Sequence, residues 1–263
     1  LDHFQTLLAL RPKVIALTHC SNVTGVVHPV EQMIAMIRKQ SDAIIVLDAA
    51  QSLPHGRLNL HTLGADFVAF SAHKMLGPTG LGFLYANRHR LDSLKPLQFG
   101  GGTVDWVDTD GQISRRAPYH LEAGTPAIAS VIGAGASFRL LAGFDETALR
   151  AHDRNLVNSL LSGAASRPYL KLIGPSDGEN RHAIGAFKFS DCVSVGEIAR
   201  LLSDAYGIMC RSGYMCAQPF VGALAGGEIL RASAYLYNTT ADIDALYQAL
   251  DDLAECMGLP TIN

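Results

Sequence analysis

Two short stretches of this sequence place reactive side chains where an apolar run ends. In Phe67-Val68-Ala69-Phe70-Ser71-Ala72-His73-Lys74 the run gives way to a hydroxyl, an imidazole and an amine, and Gly77-Pro78-Thr79-Gly80 follows. A free lysine titrates at about 10.4, so a nucleophilic lysine must be desolvated or set beside another cation to lose its proton near neutrality. A turn behind a buried strand offers that setting. Ser71 and His73 are donors suited to a phosphate, and the glycines let backbone come close. A surface lysine in a Gly/Pro turn is the plainer reading of the same residues.

The second stretch is Leu47-Asp48-Ala49-Ala50-Gln51-Ser52, with a carboxylate behind the apolar run Ala43-Ile44-Ile45-Val46-Leu47. Ligands of open α/β sheets gather at such strand ends. A carboxylate there can keep a pyridinium nitrogen protonated. It can equally well cap the helix or turn that follows.

These positions need strands to carry them. Val14-Ile15-Ala16-Leu17-Thr18, residues 43–47, Phe67–Phe70 and Leu81–Tyr85 read as strands, and Pro29 opens a helix through Gln40. Uninterrupted apolar runs predict a sheet covered on both faces. Strand, helix and strand in this order predict an α/β layer with a mainly parallel sheet. The character changes near Gly143. Residues 126–142 read as an apolar helix, 145–166 as an amphipathic one capped by Asp145, and Ala183–Phe189 and Gly207–Cys210 as strands. Val195–Tyr206 and Thr240–Met257 read as helices. The division expected is therefore 1–143, a larger α/β domain, and 144–263, a smaller C-terminal α+β domain.

Composition narrows the function classes. With 263 residues, 48% of them hydrophobic and 17% charged, the chain can bury a full core. A net charge of −3 speaks against nucleic acid as a partner. No apolar run reaches the ~18 residues of a membrane span, and Leu1-Asp2-His3-Phe4 opens no signal peptide. The cysteines at 20, 192, 210, 216 and 256 have no metal or redox spacing, so reduced thiols in a cytoplasmic setting and no metal site are expected. Without a secretory signal, the glycosylation triplet Asn238-Thr239-Thr240 reads as a chance match.

Further motifs occur in order along the chain: Thr18-His19-Cys20-Ser21-Asn22-Val23-Thr24-Gly25, Gly100-Gly101-Gly102, Glu122-Ala123-Gly124-Thr125-Pro126, Arg211-Ser212-Gly213-Tyr214-Met215-Cys216-Ala217-Gln218-Pro219 and Leu230-Arg231-Ala232-Ser233. Together with Asp48–Gln51, Ser71–Lys74 and Gly77–Gly80, they make the chain resemble the pyridoxal-phosphate (PLP) fold-type I, class V aminotransferase family. Within that family it is most similar to group II cysteine desulfurases and selenocysteine lyases.

The resemblance implies that Lys74 forms a Schiff base with PLP and that Asp48 pairs with its pyridine nitrogen. It implies that Gln51 bonds the ring hydroxyl, that Ser71 and His73 bind the phosphate, and that Thr125 reaches the phosphate of a second subunit's cofactor. Arg231 would grip the substrate carboxylate as a planar fork, with Asn22 assisting. Cys216 would take sulfur from L-cysteine as a persulfide, leaving alanine. A neighbouring positive group would favour the reactive thiolate. The turn formers Gly213 and Pro219 would give Cys216 a mobile loop, while Cys20, Cys192, Cys256 and Cys210 read as packing. Selenocysteine lyase, aminotransferase, epimerase and a non-catalytic subunit of a split enzyme are the alternatives.

The sequence departs from the family in three places. Relatives often carry a histidine just before the nucleophile, where this chain has Tyr214-Met215, and methionine cannot titrate. Ala72 stands where glycine is common. Family members also have an N-terminal segment ahead of the strand at Val14, with a phosphate loop and an aromatic residue stacked on the cofactor, and these residues hold no counterpart. A truncated chain, a split enzyme and a degenerate homologue are all compatible with that. The partners expected are L-cysteine, a second copy or a chain supplying the N-terminal part, and a sulfur-acceptor protein.

Overall fold

The apolar runs become parallel strands, Val14–Thr18 (β1), Ile44–Asp48 (β2) and Phe67–Ser71 (β3), in the computed structural model, which describes residues 1–262. Gly82–Ala86 (β4) pairs antiparallel with β3 and completes a sheet of order β1-β2-β3-β4. Asp2–Leu8 (α1) and Val30–Gln40 (α2) cover one face, burying Ile15, Leu17, Ile45, Leu47 and Val68. The opposite face carries Phe67, which is buried, and Val14 and Leu84, which are exposed.

A short helix, Arg88–Leu91 (α3), precedes a hairpin of Val104–Val107 (β5) and Gln112–Ser114 (β6), which the sequence pattern did not disclose. The helix Ile128–Gly143 (α4) has Arg139 as its one charged residue, yet only Ala134 and Ser137 are buried. Phe138 of α4 meets Phe83 at 5.4 Å between ring centroids, and Phe83 stacks on Phe70 at 5.2 Å.

The second sheet is wholly antiparallel, in the order Lys171–Leu172 (β7), Ile184–Lys188 (β8), Ile229–Ser233 (β10) and Arg211–Gly213 (β9). Helices Glu146–Ala165 (α5), Val195–Tyr206 (α6) and Thr240–Met257 (α8) bury Leu156, Ile198, Leu202 and Leu250 with Phe187 and Leu230, and Gln218–Ala225 (α7) follows β9. Asp145 caps α5 by accepting from the Ala148 N–H at 2.8 Å, as its position predicted. Thr239 and Asp242 form a reciprocal capping box on α8, which gives the Asn238-Thr239-Thr240 triplet a structural use. The strand expected at Gly207–Cys210 does not form. Gly207, with φ +67°, caps α6 in the left-handed region, and the strand starts only at Arg211.

Contacts divide the chain into Leu1–Thr18 with Pro29–Phe144, and His19–His28 with the described residues from Asp145 onward. The division after Phe144 lies next to the expected boundary, but residues 19–28 belong with the second unit. Arg181 explains their placement. Its side chain is buried, and its guanidinium donates to the carbonyls of Thr24, Ile184 and Pro175. The His182 N–H donates to Gly25, where a Cβ would lie 2.7 Å from the His182 carbonyl, so only glycine fits. Among the described residues no single helix is long and apolar enough to cross a membrane.

Asp66 locks the first unit. It accepts from Arg38 at 2.7 Å, from Arg90 at 2.8 Å and from the Ile45 N–H at 2.8 Å. Burial alone would raise its carboxyl, but the bonds from Arg90, Ile45 and Arg38 outweigh that and hold it below its ordinary value of 3.8. Because the folded value is the lower one, this stabilisation is present above the unfolded value and is lost as pH falls through the folded value. Asp66→Asn is expected to cost about 2 kcal/mol near neutrality, since it strands two partly buried guanidiniums. Urea melts of both proteins should show the gap closing below about pH 4. A gap independent of pH would mean that the charge is not what matters.

Candidate active site

In the first unit the candidate residues cluster at the C-terminal ends of β2 and β3. Asp48 ends β2, and one of its oxygens accepts from the Ala50 N–H at 2.9 Å, so it does support the local turn. Its side chain is nevertheless exposed, and its other oxygen accepts no hydrogen bond among the described residues. Ser71 ends β3, and His73 and Lys74 lie in the single helical turn Ala72–Met75 behind it. Lys74 Nζ donates to Gln51 Oε1 at 3.1 Å, which brings together two side chains that are 23 positions apart in sequence.

The lysine turn is rigidly closed. Leu76 takes φ +60°, and the Gly77 N–H returns to the Ala72 carbonyl at 2.9 Å. A Cβ on Gly77 would stand 2.8 Å from that carbonyl, which is why glycine is needed there. Ser137 of α4 donates to the Leu76 carbonyl at 3.0 Å and braces the turn from behind. Thr125 stands on a different, exposed turn, tied through the Gly124 N–H to the Gly101 carbonyl at 2.8 Å.

The second unit assembles the other candidates. Arg231 of β10 donates from Nη1 to the Asn22 carbonyl at 2.9 Å. Register sets Arg231 opposite Arg211 on β9, so two cations stand side by side, an arrangement that is unfavourable without an anion. Burial first, and repulsion from Arg211 second, pull Arg231 below its ordinary value, while Cys210 and Cys216 act in the opposite sense. Its Nε is buried and has no partner among the described residues. Arg211 donates from Nη2 to Cys216 Sγ at 3.1 Å. It was not singled out from the sequence, although a cation five positions before a candidate thiol is a legible signal.

Cys216 occupies a strained turn. The Ala217 N–H bonds the Tyr214 carbonyl at 2.9 Å across Met215 and Cys216, whose φ values are 54° and 58°. Two positive φ angles mark the mirror-image turn normally filled by Gly, Asn or Asp. For other L-residues the left-handed conformation costs roughly 1–2 kcal/mol each. The loop expected around Cys216 is present, and its shape is tightly specified.

The remaining thiols only partly match their expected packing role, and no disulfide joins any of the five cysteines. Cys20 is buried and donates to the Gly25 carbonyl at 3.3 Å. Cys210 is half-buried, and burial pushes its thiol up to about 11 against the influence of Arg231. Cys192 and Cys256 are exposed, one in the turn before α6 and the other in the last turn of α8, which corrects their reading as buried filler.

The chain matches the family described as aminotransferase class-V over residues 1–246. It is 36% identical over 258 residues to a probable cysteine desulfurase of Halalkalibacterium halodurans, covering 98% of this chain and 62% of that protein. It is 41% identical over 236 residues to probable cysteine desulfurase 2 of Mycobacterium leprae, covering 90% of this chain and 56% of that protein. Among solved structures, the cysteine desulfurase CsdA (S-sulfonic acid) from Escherichia coli superposes with a TM-score of 0.87 at 33% identity, covering 97% of this chain and 62% of that one. The chain thus spans less than two thirds of the length of these relatives.

The Arg211 contact gives the site a direct test. The Arg211 Nη2 contact fixes where the Cys216 sulfur sits, and a cationic neighbour is the setting in which reactive cysteines are found. Arg211→Ala is expected to slow iodoacetamide alkylation of Cys216 by about twofold to fivefold, the range of a solvent-screened charge pair. Peptide mass mapping reads each thiol separately, and exposed Cys192 and Cys256 serve as controls that should not change.

Proposed function

The chain belongs to the class V aminotransferase family, and we propose that it carries out PLP-dependent removal of sulfur from L-cysteine, yielding alanine and a persulfide on Cys216. The observation that carries this reading is an exposed thiol held by Arg211, one strand away from Arg231 with its orphaned buried Nε. An amino-acid carboxylate is an anion that suits two adjacent guanidiniums. A thiol beside it has the nucleophile's chemistry.

The first unit has groups that fit PLP. Lys74 offers the amine for covalent attachment, Asp48 a carboxylate for the ring nitrogen, Gln51 an amide for the ring hydroxyl, and Ser71 and His73 donors for the phosphate. The unclaimed oxygen of Asp48 is the observation that favours this fit. When bound, PLP supplies an aldehyde that condenses with amines and a ring that withdraws electrons from the bonds around the substrate's α-carbon.

The chain's own residues supply the rest. Arg231 and Asn22 hold the carboxylate and fix which face of the substrate is presented. The Cys216 sulfur, held by Arg211, gives up its proton and attacks the substrate sulfur. The new S–S bond forms as the Cβ–S bond breaks, its electron pair stays on carbon, and a proton taken up there gives alanine. The persulfide then passes to an acceptor protein bearing a nucleophile. In this reading the exposed Thr125 serves the cofactor of a second copy.

The decisive experiment is to purify the protein with whatever accompanies it and record its absorption spectrum with PLP, before and after L-cysteine. Lys74→Ala is expected to abolish covalently bound PLP, measured by borohydride trapping and peptide mapping. Cys216→Ser should keep bound PLP but reduce alanine and persulfide formation to background. Sulfur release that persists in Cys216→Ser would favour another class V reaction. Arg231→Ala should raise KM for cysteine roughly tenfold to a hundredfold, as expected for loss of a charge-assisted bond.

A further inference from the structure

The strained turn at Met215-Cys216 requires something to hold it, and the structure shows what does. Asn22 donates from Nδ2 to the Met215 carbonyl at 3.1 Å, joining positions 193 residues apart. The Met215 side chain is 1% exposed, packed with Val23, Ile173, Val221 and Ile229. Asn22 and Val23 are consecutive, so one short segment grips both the carbonyl and the side chain of the residue before Cys216. That segment is itself fixed by Arg181 through the Thr24 carbonyl.

We propose that Asn22 is a positioning residue for Cys216: its amide, acting through the Met215 carbonyl, holds the mirror-image turn that keeps the thiol against Arg211. Three observations support this. The two central residues of the turn have positive φ without being glycine, so the conformation must be enforced from outside the turn. Among the described residues, hydrogen bonds reach the two central residues of the turn from Asn22, to the Met215 carbonyl, and from Arg211, to the Cys216 sulfur, while the Val221 N–H holds the Ala217 carbonyl at its end at 2.9 Å. Met215 cannot titrate and is sealed in the core, so its contribution is mechanical.

The arrangement also links two events. The Asn22 carbonyl accepts from Arg231, and the Asn22 amide has two N–H groups, of which one is used on Met215. The remaining N–H can meet a carboxylate. Asn22 therefore connects carboxylate recognition to the placement of the nucleophile, and the hydrogen bonds Arg231–Asn22–Met215 end one residue short of Cys216.

The proposal rests on Cys216 being the nucleophile, but its test needs no turnover. In the purified protein with any co-purifying chain, Asn22→Ala should slow alkylation of Cys216 by iodoacetamide about twofold to fivefold, as loss of the Arg211 contact would. In an Arg211→Ala background, Asn22→Ala should add almost nothing, because both changes remove the same contact. Hydrogen exchange of the Ala217 amide, which closes the turn, should accelerate while β8 and β10 stay protected. If desulfurase activity is present, kcat at saturating cysteine should fall roughly tenfold to a hundredfold as well, the scale of a misplaced reacting group. Asn22→Asp, similar in size but without the donor, is the second variant should Asn22→Ala fold poorly.

A change confined to KM, with alkylation and Ala217 exchange unaltered, would overturn the proposal and leave Asn22 as a substrate contact only. Exchange rising throughout the second unit would overturn it too, since Asn22 would then support the fold at large. Absence of desulfurase activity with the alkylation and exchange effects intact would count against the functional reading and not against the positioning role.

Discussion

Two guanidiniums held side by side by the pairing of adjacent strands are the constraint on which the second unit's chemistry depends. Register fixes Arg231 opposite Arg211, and the backbone ladder leaves neither free to withdraw its Cα. Like charges in this position are unfavourable, and partial burial of Arg231 makes them more so. The surroundings answer in three ways. Arg231 gives one donor to the Asn22 carbonyl, Arg211 turns a donor to the Cys216 sulfur, and Arg231 Nε remains unsatisfied. Placing an anion there would satisfy that donor and relieve the repulsion. In the proposed reading, carboxylate binding and placement of the Cys216 sulfur draw on this one electrostatic arrangement.

The segment 19–28 makes the arrangement possible. Its sequence neighbours belong to the first unit, but its hydrogen bonds are to the second. Arg181 is a buried cation whose guanidinium donates to three main-chain carbonyls, an arrangement that locks backbone. Breaking such a set leaves a buried charge uncompensated, so its members stay together. Asn22 and Val23 are thereby delivered to Met215, and Met215 in turn holds Cys216. The expected mobile loop is better described as a short turn under tension, anchored at the residue before its reactive group.

The first unit solves a simpler problem with backbone geometry. Parallel strands end on the same side, so Asp48 and Ser71 emerge together, and the turn after β3 brings Lys74 to Gln51. The Gly77 return to Ala72 and the Ser137 brace from α4 fix that turn without using any of the reactive side chains. Asp48 serves the fold with one oxygen and keeps the other for a ligand. Supporting the turn and partnering a proposed ring nitrogen are therefore compatible, because a carboxylate has two acceptors.

Sequence alone determined most of the scaffold and the chemistry of individual positions. Apolar runs near Val14, Ile44 and Phe67 had to become strands, Asp145 had to cap a helix, and the ordered motifs around Lys74, Cys216 and Arg231 marked the candidate side chains. These are local properties, decided by periodicity and residue type. Tertiary structure decided what depends on distant partners: that residues 19–28 join the second unit, that Cys192 and Cys256 are exposed, and that Gly207 ends a helix where a strand was expected. It alone revealed Arg211 against Cys216 and Asn22 beneath Met215. The physical reason is that hydrogen bonds and strain spanning nearly 200 residues leave no periodic trace in the chain, because each end looks ordinary until folding brings the other to it.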